Sequence, residues 1–282
     1  MRILVTGAYG QLGREVISQF SKEYQIIGYG KKELDITNEE NVGTVIKKIS
    51  PNVIIHTAAY TAVDTCETNI KQAYEVNTIG AANVAKAAQK IGARMFYIST
   101  DYVFDGKKEV PYLENDETNP LSIYGLSKLA GEKSVLKILP VCTIIRTSWL
   151  YGHGGKNFVN TMLQFAKQNK KVKVVDDQVG SPTYTVDLVR VLLALMNKPD
   201  GIYHVSNTGS CSWFQFAKRI YQEAGADPEL VIPCTTEEYG SLAKRPKYSV
   251  LDQKELVNVH IEPPRKWDDA LREFLRKELA ND

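Results

Sequence analysis

Tyr124 and Lys128, four residues apart, carry the side chains best suited to exchange a proton with a substrate oxygen. They lie at the start of a helical pattern behind Asn119 and Pro120, and positions i and i+4 share one face of a helix. An unperturbed phenol has a pKa of about 10, and a nearby cation lowers that pKa by stabilising the phenolate. The pair is therefore suited to general acid–base chemistry. The alternative is an ordinary helix pair, because tyrosine and lysine often occur at this spacing.

A glycine-rich turn follows the first predicted strand, Arg2 to Thr6, and precedes a helical pattern that begins at Arg14. Gly7, Gly10 and Gly13 have the spacing GxxGxxG, not the commoner GxGxxG. Glycines let the backbone approach an anion, and a helix N-terminus presents unpaired N–H groups and the positive end of its dipole. The turn therefore predicts a cofactor diphosphate site, with a purely structural tight turn as the alternative.

The end of the second predicted strand, Gln25 to Gly30, bears on the choice between NADH and NADPH. A carboxylate at the tip of this strand would bind the ribose 2′-OH of NADH, whereas Lys31 and Lys32 follow here. Their charge favours the 2′-phosphate of NADPH, and Arg14 could add to it. We therefore expect NADPH, with NADH as a second cofactor. The alternative is that both lysines are only solvated.

Small and polar residues follow the next two predicted strands. Ala58 to Thr61 come after the buried strand Asn52 to Thr57, and small side chains there let a flat cofactor pass close by. The fourth predicted strand, Arg94 to Ser99, is followed directly by Thr100. Ligands in open α/β sheets bind outside the carboxyl ends of the strands, so the hydroxyl groups of Ser99 and Thr100 are well placed for a site. We interpret His56 as a packed core residue, because no partner motif flanks it.

Length, composition and charge limit the possible classes of protein. The 282 residues are 43% hydrophobic and 24% charged, which is ordinary for a soluble globular protein, and the net charge of +2 does not favour nucleic acid as a partner. No apolar run is long enough for a membrane span, and the N-terminus has no signal-peptide pattern. The cysteines lack CxxC spacing, which argues against a zinc site or a disulfide framework and favours a cytoplasmic setting.

The alternation of strands and helices predicts an α/β fold, a Rossmann-like doubly wound parallel sheet, over residues 1–147. A long helix is expected from Ile70 to Ile91. Residues 148–282 predict mainly a smaller α+β substrate-binding domain. The strand near 172–175 and the helix near 186–196 are expected to return to the Rossmann-like domain.

Four longer segments resemble the extended short-chain dehydrogenase/reductase family and, within it, the dTDP-4-dehydrorhamnose reductase family. These segments are His56 to Asp64, Ser99 to Phe104, Tyr124 to Glu132 and Arg146 to Gly152. The resemblance spans nearly the whole chain. It implies reduction of the C4 ketone of a dTDP-sugar, dTDP-4-dehydro-L-rhamnose, by NADPH or NADH, in the synthesis of dTDP-L-rhamnose for cell-surface polysaccharide.

The resemblance also implies roles for individual residues. Tyr124 would donate the proton, Lys128 would lower the tyrosine pKa and hold the nicotinamide ribose, and Thr100 would hydrogen-bond the ketone oxygen. Thr100, Asp101 and Trp149 would contact the sugar nucleotide, although a core aromatic is the alternative for Trp149. The expected cofactor-binding residues are Gly7, Gly10, Gln11, Leu12, Gly13, Asp35, Ile36, Ala58, Ala59, Tyr60, Thr61, Tyr124 and Lys128.

The sequence leaves open whether the protein binds magnesium and whether it forms a homodimer. Some members of the family hold magnesium between two subunits with glutamates, and Glu15 stands at the first such position. Near Asp187 the acidic residue is one place off, and the C-terminus offers no convincing third ligand. We therefore assign no metal site, and Glu15 is alternatively a first-turn carboxylate that complements the helix dipole.

Two other functions remain open: a sugar-nucleotide epimerase or dehydratase of the same fold, and a non-catalytic NADP-binding regulatory subunit. An epimerase would keep its nicotinamide bound, whereas a reductase must release it in each turnover. The presence of Thr100, Tyr124 and Lys128 together argues against the regulatory subunit.

Overall fold

The chain alternates strands and helices in a computed structural model that describes residues 1–280. The strands are β1 (Arg2–Thr6), β2 (Gln25–Tyr29), β3 (Val53–His56), β4 (Arg94–Thr100), β5 (Thr143–Thr147), β6 (Leu150–Tyr151), β7 (Val172–Val175), β8 (Val179–Gly180), β9 (Thr183–Tyr184), β10 (Gly201–His204), β11 (Cys211–Ser212) and β12 (Val231–Cys234). The helices are α1 (Gln11–Phe20), α2 (Glu39–Ile49), α3 (Val63–Thr68), α4 (Ile70–Tyr74), α5 (Ala81–Ile91), α6 (Ile123–Ile138), α7 (Phe158–Lys167), α8 (Thr185–Leu195), α9 (Trp213–Glu223), α10 (Thr236–Tyr239), α11 (Lys254–Asn258) and α12 (Trp267–Ala280). A π-helical turn, Glu75–Gly80, joins α4 to α5, and 3-10 turns lie at Asp101–Val103 and Pro228–Leu230.

Six parallel strands form the central sheet in the order β10-β5-β4-β3-β1-β2. The strand order reverses beside β1, because β2 lies on one side of β1 and β3 on the other. Ligands of doubly wound folds bind at this switch point, outside the carboxyl ends of the strands. The predicted Rossmann-like sheet is confirmed, and its switch point lies beside the glycine-rich turn.

Both faces of the sheet are covered by helices, which explains why its strands are apolar throughout. Ile3 and Val5 pack with α1 and α8, whereas Leu4 between them packs with α2 and α5 on the opposite face. Consecutive strand residues point to opposite faces, so a sheet buried on both sides needs continuous apolar runs.

The strand expected near 172–175 does not return to the central sheet. That strand, β7, pairs with β12 in a separate two-stranded sheet, and β10 takes the edge position beside β5. The reason is burial: β7 exposes Lys173, whereas Ile202 and Tyr203 of β10 pack into the clusters on opposite faces of the sheet. The helix α8 does pack against the Rossmann-like core through Leu188 and Leu192.

The remaining elements form a second core around α7, α9 and α12. Phe216 and Phe274 are its largest buried side chains together with Tyr151, Tyr184 and Tyr221. Because β10 and α8 belong to the first core, the chain passes between the two parts more than once, and the boundary at residue 147 stays a prediction. No helix within residues 1–280 has the length and apolar character needed to cross a membrane.

Candidate active site

The glycine-rich turn forms a cradle that side chains would fill. Gly7 has a φ of 67°, and a Cβ placed on it would lie 2.7 Å from Ala58 N. A Cβ on Gly13 would lie 2.8 Å from Ala8 Cα. Gly10 precedes α1, and no side chain caps the first turn of that helix. The residues present therefore fit a dinucleotide diphosphate, which the helix N–H groups would bind.

The side chains of Gln11 and Leu12 have partners within the protein. The Gln11 amide donates to Lys156 O at 3.2 Å and accepts from Gly152 N at 3.0 Å and Asn157 Nδ2 at 2.9 Å. Its side chain thus joins the phosphate turn to the second part of the chain. Leu12 is buried, so only its backbone can face a cofactor. Both residues stay proposed cofactor contacts through the helix N-terminus.

A cavity of about 340 Å³ adjoins the turn at the carboxyl ends of β1, β2 and β3. Seven of the thirteen expected cofactor-binding residues line it: Gly7, Gly10, Asp35, Ile36, Ala58, Ala59 and Tyr60. Thr61 is exposed just beyond it. The Asp35 carboxylate accepts hydrogen bonds from the Thr37 hydroxyl and amide at 2.8 and 3.0 Å, and these bonds lower its pKa.

The π-helical turn fixes the loop that lines this cavity. Asn77, in the turn, accepts a hydrogen bond from Tyr60 N at 2.8 Å and donates to Tyr60 O and to Ser127 Oγ, both at 3.0 Å. Such turns insert an extra residue into a helix and often occur at functional sites. The helix expected over 70–91 is therefore interrupted where it joins the loop after β3 to the helix that carries Tyr124.

Tyr124 and Thr100 meet at the carboxyl end of β4. Ser122 caps α6 by accepting from Gly125 N at 3.2 Å, which places Tyr124 in the first turn of that helix. Burial raises the pKa of Tyr124, and a hydrogen bond with the Thr100 hydroxyl opposes the rise. Thr100 itself donates to Asp101 Oδ1 at 3.1 Å and caps the following 3-10 turn. The arrangement orients two hydroxyl groups toward one another at the site.

Lys128 is buried one turn beyond Tyr124 but interacts with another partner. Its Nζ donates to Ile98 O at 2.7 Å and lies 4.2 Å from the centre of the Tyr97 ring. Burial lowers the pKa of Lys128 to about 7, and Glu132 opposes this change. Lys128 is not among the groups that contribute most to the shift of the Tyr124 pKa, and its expected lowering of that pKa stays a prediction.

A buried ion pair lies behind Lys128. Glu132 accepts from Arg146 Nε at 3.0 Å and Nη2 at 2.8 Å, and the Ser99 hydroxyl also donates to it. Because Glu132 is four residues after Lys128 on α6, its charge faces the lysine. Sequence reasoning assigned no role to Glu132, although the spacing of Tyr124, Lys128 and Glu132 on one helical face was available as a signal.

Asp101 is buried beside Thr100. Burial raises its pKa to about 6, while hydrogen bonds from Ser249 and Thr100 oppose the change. Its Oδ2 atom has no hydrogen-bond partner among the described residues. A buried polar atom without a partner is costly in a folded protein, which favours a ligand as its partner.

Trp149 has a strained backbone conformation and contacts Trp213, which lines a second cavity. Its φ is 46°, which is unusual for a bulky residue and is often found at functional sites. The ring stacks on Trp213 with centroids 3.6 Å apart and packs against Gly180, where a Cβ would lie 2.6 Å from the indole. The Trp149 side chain is therefore packed against its neighbours but remains partly exposed.

The second cavity has a volume of about 620 Å³ and combines aromatic walls with cations. Phe158 and Trp213 line it together with Lys173 and Arg245. The Arg245 guanidinium reaches back to Asp64 Oδ2 at 2.7 Å. Sequence reasoning gave these lining residues no role, because they lie far apart along the chain and match no local motif.

Glu33 places a carboxylate at the tip of β2, where the sequence analysis expected none. Its Oε2 accepts from Gly30 N at 3.1 Å, and its Oε1 accepts from the Tyr9 hydroxyl at 3.0 Å. The expectation failed because Glu33 stands four residues beyond the end of β2, and only the turn at Gly30 brings its side chain back to the strand tip.

The described residues do not form a metal site. Within residues 1–280 no group of three or more His, Cys, Asp or Glu side chains could hold an ion. Glu15 instead accepts a hydrogen bond from Gln19 Nε2 at 2.7 Å.

Comparisons with known proteins identify similar sequences and structures that match nearly the whole chain. The family described as RmlD substrate binding domain matches residues 1–280. A spore coat polysaccharide biosynthesis protein, SpsK, from Bacillus subtilis is 46% identical over 277 residues, which cover 98% of this chain and 97% of that protein. A crystal structure of a dTDP-4-dehydrorhamnose reductase from Clostridium acetobutylicum has a TM-score of 0.96 and 46% identity, covering 99% of this chain and 100% of that chain.

A second solved structure is similar to the same degree. It is a dTDP-4-dehydrorhamnose reductase from Bacillus anthracis in complex with NADP, with a TM-score of 0.95 and 46% identity, covering 98% of this chain and 99% of that chain. The chain therefore belongs to the RmlD substrate binding domain family, and the predicted membership of the dTDP-4-dehydrorhamnose reductase family is confirmed.

Proposed function

We propose that the chain reduces the C4 ketone of dTDP-4-dehydro-L-rhamnose to dTDP-L-rhamnose, with NADPH as the hydride donor and NADH as a second donor. The observation that carries the proposal is the meeting of Thr100 and Tyr124 at the carboxyl end of β4, with the Lys128 ammonium one helical turn further on and bound to Ile98 O of the same strand. A bound nicotinamide supplies the hydride. The residues of the chain must then orient the ketone and stabilise the charge that develops on its oxygen.

Thr100 and Tyr124 would act on that oxygen. As the carbonyl carbon accepts hydride, the oxygen becomes anionic, and both hydroxyl groups can donate hydrogen bonds to it. Tyr124 then transfers its proton to the oxygen, which leaves a phenolate. Burial makes this phenolate costly, so a neighbouring cation is needed to stabilise it.

Lys128 is the cation available for this role. An ammonium group has three donors, and only one of them is used by Ile98 O. The other two would be available to the nicotinamide ribose and to the phenolate. Glu132 supports the charged form of the lysine against burial.

The aromatic cavity would hold the nucleotide part of the substrate. Trp213 and Phe158 offer faces for the thymine ring, while Arg245 and Lys173 can neutralise the diphosphate. Its volume of about 620 Å³ is within the usual range for a small-molecule site. The sugar would then extend past Trp149 to Asp101, whose unpartnered Oδ2 can accept a hydrogen bond from a sugar hydroxyl.

We further propose a cytoplasmic location and a role in cell-surface polysaccharide synthesis. All four cysteines are free and buried, which suits a reducing compartment. A homodimer stays a prediction, and the mass of the purified protein by light scattering tests it.

The test is NADPH oxidation, followed by absorbance, with dTDP-4-dehydro-L-rhamnose as substrate. Tyr124→Phe should lose about 100-fold or more in kcat, because general acid catalysis typically contributes that much. Tyr24→Phe, which keeps its contact with Phe20 far from the site, is the matched control. Absence of turnover by the wild type would refute the proposed reaction, and full activity of Tyr124→Phe would refute the assigned proton donor. Stoichiometric cofactor retained on purification would favour an epimerase instead.

A further inference from the structure

Tyr102 contacts the proposed proton donor through both its ring and its backbone. The rings of Tyr102 and Tyr124 meet edge to face, with centroids 5.5 Å apart and an angle of 76° between their planes. The Thr100 hydroxyl accepts from Tyr102 N at 3.2 Å and so fixes the 3-10 turn that carries this ring. A Cβ on Gly125 would overlap Tyr102 O, because the first turn of α6 packs directly on the backbone of Tyr102. Tyr102 therefore helps to set the position of the Tyr124 ring.

The hydroxyl of Tyr102 lies beside the Arg245 guanidinium. Burial raises the pKa of Tyr102 and the Asp101 charge adds to the rise, while the charge of Arg245 and a hydrogen bond from its guanidinium oppose it. The guanidinium also donates to Asp64 Oδ2 at 2.7 Å and to Asp64 Oδ1 and Ala243 O, both at 3.2 Å. These partners fix Arg245, which is one of the residues that line the aromatic cavity.

We propose that Tyr102 is a positioning residue, which holds Arg245 ready for a nucleoside diphosphate and the Tyr124 ring ready for proton transfer. A flexible arginine loses conformational entropy when it binds a ligand, and a guanidinium that is already fixed avoids this cost. Proton transfer likewise needs the donor at a defined distance and angle from the ketone oxygen. The inference rests on the proposed function, because it takes the aromatic cavity as the nucleotide site and Tyr124 as the proton donor.

Binding of dTDP, measured by calorimetry, tests the link to Arg245 without any turnover. Tyr102→Phe keeps the ring and removes the hydroxyl. It should raise the Kd for dTDP by about 3- to 10-fold, the scale of one hydrogen bond. In an Arg245→Gln background the same change should have no further effect, because the two side chains act through one contact. Tyr24→Phe, whose ring packs on Phe20 far from the cavity, should leave the Kd unchanged.

Turnover of dTDP-4-dehydro-L-rhamnose with saturating NADPH tests the role in proton transfer. Tyr102→Phe should keep kcat within about twofold of the wild type, because the edge-to-face contact with Tyr124 remains. Tyr102→Leu removes that contact and should lower kcat by about 3- to 10-fold. Both variants should bind NADPH as the wild type does. Tyr24→Leu, which removes a ring that packs on Phe20, is the matched control and should keep kcat.

The results that would overturn this inference differ from those that refute the proposed reaction. Unchanged dTDP binding in Tyr102→Phe would overturn the link to Arg245, as would an equal loss in the Arg245→Gln background. Equal kcat values for Tyr102→Phe and Tyr102→Leu would overturn the role in proton transfer. A wild type that binds no dTDP would refute the link together with the proposed nucleotide site.

A further result separates the two roles of Tyr102. The wild type can bind dTDP and show the expected effect of Tyr102→Phe without reducing the ketone of the sugar nucleotide. This result would support the link between Tyr102 and Arg245. It would refute the proposed reaction and, with it, the role of Tyr102 in proton transfer.

Discussion

Replacing Glu132 with glutamine should affect stability and the pH profile of activity for two different reasons. Glu132 is 2% exposed and Arg146 is 4% exposed, and they share two hydrogen bonds. Glutamine keeps the shape of the side chain but removes the negative charge. The Arg146 guanidinium then remains buried without a counter-charge.

The expected loss of stability is about 3 kcal/mol in the free energy of unfolding, because removal of one partner from a buried ion pair typically costs 3–5 kcal/mol. The lower end applies because the amide oxygen can still accept one hydrogen bond from Arg146. Replacement of both partners by apolar residues, Glu132→Leu with Arg146→Met, should recover most of this loss, since no unpaired charge is left.

The pH profile should change through Lys128. Burial lowers the Lys128 pKa to about 7 and Glu132 opposes that change, so loss of the Glu132 charge lowers the pKa further. If the charged lysine is needed, activity is lost as pH rises through this pKa. The alkaline limb of kcat should therefore move to lower pH in Glu132→Gln. It should also move in the double variant, although that variant regains stability.

Urea denaturation and a pH series of kcat provide the measurements. Asp200→Asn is the matched control, because it removes the partner of Arg94 at the opposite end of the sheet. That variant should lose stability without a shift of the pH profile. An alkaline limb that stays in place in Glu132→Gln would refute the link between Glu132 and Lys128. A loss of stability below about 1 kcal/mol would refute the cost assigned to the unpaired Arg146.

Three further substitutions test the glycine-rich cradle and the proposed role of the aromatic cavity in substrate binding. Gly13→Ala should weaken NADPH binding at least tenfold, measured by calorimetry, because the new Cβ would lie 2.8 Å from Ala8 Cα. Gly43→Ala in α2 is the control, because a Cβ there meets nothing within 4 Å. It should leave NADPH binding unchanged and raise the free energy of unfolding by up to about 1 kcal/mol. Arg245→Gln should raise the KM for the sugar nucleotide by about 10- to 100-fold, because it removes a charge-assisted hydrogen bond. Arg190→Gln on α8 is the control and should leave this KM unchanged. Equal KM values in the two variants would show that Arg245 does not bind the substrate. Trp213→Leu should raise the same KM by about three- to tenfold with little change in kcat, and an effect confined to kcat would contradict a binding role.

Local patterns in the sequence determined the central sheet and the position of its cofactor cradle. A strand buried on both faces needs an unbroken apolar run. Such runs at β1, β3 and β4 can be recognised in the sequence without knowing which strands they pair with. The Gly7–Gly13 turn is equally local, because the close approach of backbone atoms requires glycine there. Tyr124 and Lys128 share a helical face by spacing alone.

The tertiary structure decided which distant segments meet. Short strands such as β7 and β10 are hard to tell apart from their sequences. Only the packing of their two faces decides that β10 joins the edge of the main sheet and β7 joins a two-stranded sheet. The partners of Lys128 were likewise set by packing, since Ile98 O and Glu132 surround its ammonium group in the folded chain.

The same reason explains the Glu33 carboxylate at the β2 tip and the Arg245 guanidinium in the aromatic cavity. Glu33 reaches Gly30 N only because the chain turns back on itself, and Arg245 reaches Asp64 across 181 residues of sequence. The sequence by itself determined the residue types that can do the chemistry and the strands that carry them. Only the folded chain decided which charges face one another, because electrostatic interactions depend on distance in space and not on separation along the chain.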